Sequence, residues 1–281
     1  MTLRCCRAVL ASMPEGSEVI VADDGSTDGT AELLAREVPS VQVLRLESNR
    51  GFAPAANRGV GVARGRIILL LNSDAMVSDD ALHTLVAAFD DPLLGVAGAR
   101  LVNEDRTSQW SGGRTPTLSW MIGVVSGAGR FARLFRRNSK HRQECLCEVD
   151  WVSGAAMAFR REIWEAAGPL DERFRFYCQD IEFCLRARKA GWRVAIVENA
   201  RVVHAIGGTV AGDDVLRHDP ARLWPDLLDW GTSHYGRRWF RIARIVLVTA
   251  AWSRVAWSTV FRRRQTAALI RGARSLQSSD S

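Results

Sequence analysis

Five consecutive apolar residues, Ile67 to Leu71, run without a break into Asn72-Ser73-Asp74. A run that short and that uniformly apolar fits an interior strand buried on both faces of a helix-covered sheet. The same pattern recurs along the chain. Glu18–Ala22 (EVIVA) runs straight into Asp23-Asp24-Gly25-Ser26-Thr27-Asp28, and Val41–Glu47 alternates as a strand does. Residues 95–102 form a further apolar stretch, and 192–197 and 200–204 read as two more strands. Helical spacing fills the intervals at 2–13, 28–38, 52–63 and 180–189, with Asp28 or Thr30 placed to cap the second of these. The segment from Asn72 to Asp91 reads as loop and then helix, and residues 103–148 are irregular, with a basic run at 130–142. Strands alternating with helices at this pace imply an α/β domain with a mostly parallel central sheet and helices on both faces.

In an open α/β sheet, ligands bind beyond the carboxyl ends of the strands. Four polar sites fall at such ends or at a helix start. Asp23 and Asp24 follow the EVIVA strand, where a carboxylate can accept from a nucleobase N–H or a ribose hydroxyl. The same residues also satisfy ordinary turn chemistry. Asn72, Ser73 and Asp74 follow the most apolar strand. A lone acid beside a diphosphate needs a cation, and Mg2+ or Mn2+ takes carboxylate, water and phosphate oxygens in a near-octahedral shell. Asp180 opens a helix, where free amides and the dipole favour its ionised form and leave it able to take a proton. His204, with glycines at 207 and 208, ends the last strand and can approach a diphosphate or its metal. Each has a plain structural alternative, capping or packing. Their joint placement is harder to explain that way. GxGxxG and P-loop lysine motifs are absent, which argues against dinucleotide and P-loop chemistry. A nucleotidyltransferase would want a glycine-rich, lysine-bearing loop near the N-terminus, and none is present.

The chain has 281 residues, 47% of them hydrophobic, enough to bury a large core without staples. No signal peptide precedes the first acidic residue, and no cysteine pair has a second pair at zinc spacing, so the six cysteines read as reduced cytosolic thiols. The net charge of +7 is concentrated beyond Leu216, where twelve arginines face four aspartates. No nucleic-acid motif accompanies that charge. Residues 242–261 are strongly apolar but broken by Arg244 and Arg254, with Trp239, Trp252 and Trp257 among the flanking arginines. An arginine near the middle of a span costs about 2.5–3.5 kcal/mol on insertion scales. An in-plane amphipathic helix on an anionic membrane fits better, with an ordinary helix that closes the core or a dimer interface as the alternative. The organisation expected is a catalytic domain over 1–215 and a basic, tryptophan-bearing helical extension over 216–281.

The ordered series DDGSTDGT (23–30), ESNRGFAPAANRG (47–59), LNSDA (71–75), WVSGA (151–155), GPLDERF (168–174), and Gln179-Asp180 through Gly191-Trp192 to His204 resembles the family 2 glycosyltransferases, most closely their bacterial rhamnosyltransferase-like branch. The resemblance covers about residues 2–215. It implies the GT-A fold and sugar transfer with inversion from a nucleotide-sugar donor (dTDP-, UDP- or GDP-linked) to a glycan or lipid-linked acceptor. The basic, tryptophan-bearing tail suggests a lipid-linked acceptor at the cytoplasmic face of the cell membrane, in cell-surface polysaccharide synthesis. Carried over residue by residue, Asp23 contacts the nucleobase and Asp24 the nucleotide or its ribose. Asn49, Gly51, Phe52 and Asn57 belong to the donor-side loop and helix. Asp74 is the metal-binding acid of a DxD-like motif in which Asn72 replaces the first acid and Ser73 stands between them. Asp180 is the general base, His204 lies at the diphosphate and its metal, and Gly154 and Ala155 line the cleft.

Two departures stand out. Gln179 replaces the acid usual before the base, which removes a charge from the acceptor side. The strand that family members place ahead of the first helix is also missing, and it would be central in the sheet. Losing such a strand exposes two ladders of backbone groups. The expectation that follows is a start upstream of Met1 or a truncated gene, and the rival reading is an inactive member that only binds or scaffolds. The sequence does not indicate an oligomeric state.

Overall fold

The computed structural model describes residues 1–119, 146–205, 220–260 and 270. The basic run at 130–142, Cys145 and the glycines at 207 and 208 lie outside the described residues. The described chain falls into two compact units, one of residues 1–114, 146–175 and 179–205, the other of 115–119, 176–178 and 220–260.

The first unit opens with α1 (Thr2–Ser12), β1 (Ile20–Asp23), α2 (Thr30–Glu37), β2 (Gln42–Arg45), α3 (Phe52–Val62) and β3 (Ile67–Leu71). Next come β4 (Ala75–Val77), α4 (Ala81–Ala87) running into a short 3-10 turn, and β5 (Leu94–Val102). The short strands β6 (Gly112–Gly113), β7 (Leu146–Glu148) and β8 (Trp151–Val152) precede β9 (Ala156–Arg160). The unit closes with α5 (Arg161–Ala167), α6 (Gln179–Lys189) and β10 (Arg193–His204). The α/β class expected from the sequence is what is found. Asp28 accepts the Thr30 amide at 3.0 Å at the start of α2, and its hydrogen bonds from Thr30 hold it below the usual carboxylate value.

The central sheet is mixed. Its order is β3-β9-β5-β10-β4, with β7 also on β10. β5 and β10 run parallel, while β9 lies antiparallel between β3 and β5. The segments 192–197 and 200–204, read from sequence as two strands, lie in one strand, Arg193–His204, whose register shifts between Val197 and Arg201. Asn199 in that shift gave the appearance of a break. Leu94, Val96, Met157, Phe159 and Val194 are fully buried in this sheet because both faces are covered. Truncating a large buried side chain such as Phe159 to alanine costs about 3–5 kcal/mol.

β1 and β2 form a separate parallel pair. Among the described residues no strand hydrogen-bonds β1 to β3. The break falls where the resemblance expects a strand. The gap is spanned by packing instead: Leu3, Cys6 and Leu10 of α1 join Leu34, Val38, Val41, Val21 and Val43 in one apolar cluster. On the far side, Cys5 Sγ of α1 lies 3.6 Å from the Asn72 carbonyl. Burial, with Cys6 and Asp74 nearby, pushes the Cys5 thiol up to about 12, so it stays protonated and donates. All five described cysteines are free.

The second unit is built on α7 (Pro220–Val260), kinked at Gly236 (φ 80). Trp239, expected on the membrane-facing side, is instead buried with Trp230, because its ring packs so tightly against Gly231 that a side chain there would collide with it. The buried Asp226 carboxylate accepts from the Phe176 and Tyr177 amides at 2.9 and 2.8 Å. No helix among the described residues is long and apolar enough to cross a membrane.

Candidate active site

The site lies in the first unit, at the carboxyl ends of β1, β3 and β10. β4, not anticipated from the sequence, decides its centre. Its antiparallel register sets His204 opposite Ala75, one residue from Asp74. Asp74 Oδ1 stands 3.3 Å from His204 Nε2, and Asn72 Nδ2 stands 3.2 Å from the same nitrogen. Asp74 is buried, its side chain only 4% exposed. Ser73 sits in the tight turn closed by the Ala75 amide on the Asn72 carbonyl.

A short backbone span carries this cluster to Asp180. The Asn72 amide donates to the Ala155 carbonyl at 3.0 Å, and the Gly154 amide donates to Asp180 Oδ2 at 2.9 Å. The Ile181 amide holds the other carboxylate oxygen at 2.8 Å. Burial raises the Asp180 pKa above the usual carboxylate value, opposed by these amides. The residue keeps partial exposure although protein atoms crowd its carboxyl group. The Phe52 ring closes the other side. A Cβ on Gly154 would lie 3.4 Å from the ring and 3.6 Å from Asp180 Cβ, in ordinary contact with both.

At the end of β1, Asp23 Oδ1 accepts the Ser26 amide at 2.9 Å. Its Oδ2 is buried without a hydrogen-bond partner, with Arg45 Nε 3.9 Å off. An orphaned carboxylate oxygen at a strand end is placed to accept from a ligand. Asp24 is used differently: its two oxygens accept the Arg50 and Gly51 amides, both at 2.8 Å, tying the acidic loop to the loop holding Asn49. Gly51 has φ 98, and a Cβ there would sit 2.9 Å from the Arg175 carbonyl. Gly25 (φ 76) is pressed as closely on the Ser48 backbone. Asn57 faces away from this cluster. It exchanges hydrogen bonds with the Leu170 backbone and donates to Glu172, clamping α3 to the GPLDE segment. Asn49 is exposed.

Sequence reasoning did not single out Gln109, which lies against His204, because the irregular stretch around it has no periodic signal.

No group of three or more His, Cys, Asp or Glu side chains suited to a metal converges among the described residues. Two donors are enough for an ion that a diphosphate also binds. Cis ligands at about 2.1 Å in an octahedral shell stand about 3 Å apart, near the Asp74–His204 separation. A nitrogen and a carboxylate donor would suit Mn2+ better than Mg2+, which prefers oxygen ligands.

The sequence model described as Glycosyl transferase family 2 matches residues 1–167. The N-acetylglucosaminyl-diphospho-decaprenol L-rhamnosyltransferase of Mycobacterium tuberculosis (strain CDC 1551 / Oshkosh) is 29% identical over 215 residues, 69% of this chain and 70% of the relative. The O-antigen biosynthesis protein RfbC of Myxococcus xanthus is 27% identical over 72% of this chain, which spans 16% of that protein. Among solved structures, the mannosyltransferase PcManGT of Pyrobaculum calidifontis, in complex with GDP-Man and Mn2+, superposes with a TM-score of 0.56 at 18% identity. That match covers 100% of this chain and 84% of the other.

Proposed function

The chain belongs to glycosyl transferase family 2 and has its GT-A fold, and from that premise we propose that it transfers rhamnose or another hexose, with inversion, from a nucleotide-sugar to a glycan or lipid-linked acceptor. The observation that carries this reading is the meeting of Asp74 with His204, one short backbone span from the Asp180 carboxylate. Asp180 takes the proton of the acceptor hydroxyl, and its lifted pKa makes it a stronger base than an exposed carboxylate. The Gly154 and Ile181 amides aim it. The orphaned oxygen of Asp23 accepts from the nucleobase, while Asp24 fixes the Asn49–Phe52 loop over the donor. Asp74 and His204 are the residues that would hold a divalent ion, which would supply Lewis-acid neutralisation of the charge on the departing diphosphate. In this reading the acceptor hydroxyl attacks from the Asp180 side while the diphosphate leaves on the Asp74–His204 side, a single displacement that would invert the sugar.

Residues 1–215 carry the transfer in this reading. The rhamnosyltransferase and O-antigen relatives favour cell-envelope glycan synthesis at the inner membrane face. The extension over 216–281 supports peripheral contact there: Ile242, Ile245 and Trp252 are exposed on α7, with exposed Arg237, Arg238 and Arg241 on the same helix. The test is to incubate the protein with dTDP-, UDP- and GDP-sugars, Mn2+ and a prenyl-diphosphate-linked glycan, and to read the product's anomeric configuration by NMR. Inverted product is expected, and retained configuration would overturn the displacement. A second reading, a member that binds donor without turnover, draws on the break between β1 and β3. Donor binding with no product from any acceptor would favour it.

A further inference from the structure

We propose that Gln109 is a positioning residue that fixes the rotation and tautomer of His204, so that the Nε2 lone pair faces the ion shared with Asp74; the metal role rests on the reading above. Gln109 is buried, 7% exposed. The chain turns back at residues 103–107, with the Asn103 amide on the Thr107 carbonyl, and the Gln109 amide then bonds the Leu101 carbonyl at 2.9 Å. This return lays Gln109 beside the end of β10.

Its side-chain orientation follows from its neighbours. Nε2 is surrounded by acceptors: the carbonyl of His204, the carbonyl of Val102 at 3.3 Å and Asn103 Oδ1 at 2.8 Å. The NH2 end therefore faces those oxygens, and Oε1 faces His204 Nδ1 at 3.1 Å. An amide oxygen only accepts, so Nδ1 carries the proton. In the neutral ring the lone pair is then on Nε2, where Asn72 Nδ2 donates at 3.2 Å. The Asp74 carboxylate stands 3.3 Å from the same nitrogen, and an ion seated between the two would take the lone pair in place of the Asn72 hydrogen bond. Histidine ligands whose second nitrogen donates to a fixed acceptor follow this logic, and loss of the acceptor lowers metal affinity about 10–100-fold. Gln109 also grips the His204 carbonyl, so one side chain fixes both the backbone and the ring of the ligand.

The test starts with the metal-free protein. Long-range 1H–15N NMR of the His204 ring, assigned against His204→Ala, is expected to show the proton on Nδ1; a proton on Nε2 would overturn the proposal. Mn2+ binding in the presence of UDP is then followed by electron paramagnetic resonance. Gln109→Met is expected to weaken Mn2+ about 10–100-fold. Gln109→Glu keeps an acceptor for Nδ1–H but loses the NH2 that faces three oxygens, so it is expected to weaken Mn2+ less than Gln109→Met does. Wild-type affinity in Gln109→Met, or equal losses in both variants, would contradict the assignment. If Gln109→Met does not fold, the wild-type tautomer decides. Neither readout needs sugar transfer, so failure of the transferase reading is seen separately.

Discussion

At Asp180 two backbone amides hold a carboxylate that burial pushes toward its protonated form. The working form of a base is the deprotonated one, so kcat rises with pH through a pKa lifted above the ordinary carboxylate value and is lost on the acid side. A kcat profile whose acid limb lies at an unshifted carboxylate value would contradict this. Asp180→Asn is expected to lower kcat about 10²–10⁴-fold while leaving donor Kd within a few-fold, measured by steady-state kinetics and calorimetry. Unchanged turnover would remove the base assignment. Asp24 behaves differently. Asp24→Ala leaves the Arg50 and Gly51 amides without their acceptor, at roughly 1–3 kcal/mol for each one buried. Urea unfolding should show that loss along with weaker donor binding. The sequence marked Asp23, Asp24 and Asn57 alike as polar residues in motif positions. Which of them faces a ligand and which grips backbone depends on partners 20 to over 100 residues away, and no local pattern encodes those.

At the scale of elements, the apolar runs were legible as strands, but Ile67–Leu71, expected inside the sheet, lies at its edge with alternate residues only half-buried; β5 is the strand buried on both faces. β4 was not legible, since three residues between Asp74 and Ser78 give no period to read. Its pairing with β10 nonetheless brings Asp74 to His204. The antiparallel placement of β9 was equally hidden, because a buried strand has the same composition in either direction. The clamp of α3 on the Leu170–Glu172 segment yields a prediction at this scale. Asn57→Ala removes three hydrogen bonds, one of them to an exposed acid, and should cost about 1–3 kcal/mol in urea unfolding. Mn2+ affinity should stay unchanged, because Asn57 does not touch Asp74 or His204. A variant as stable as wild type would show that the clamp contributes nothing.

For the molecule as a whole, charge and exposed apolar surface coincide on α7. Ile245 is 65% exposed and Trp252 42%, and three exposed arginines precede them. Co-sedimentation with phosphatidylglycerol vesicles is expected to exceed that with phosphatidylcholine and to weaken as salt rises. Ile245→Glu with Trp252→Glu should reduce it without lowering the melting temperature. Equal binding to both lipids would remove the electrostatic part of the membrane proposal. The central claim is that a nucleotide-sugar site forms although β1 and β3 are not hydrogen-bonded through a common strand. Calorimetric titration of dTDP-, UDP- and GDP-sugars into the full chain, with and without Mn2+, tests it most directly. The account predicts binding of one nucleotide class that strengthens when Mn2+ is present. No binding of any donor by protein shown to be folded would contradict it.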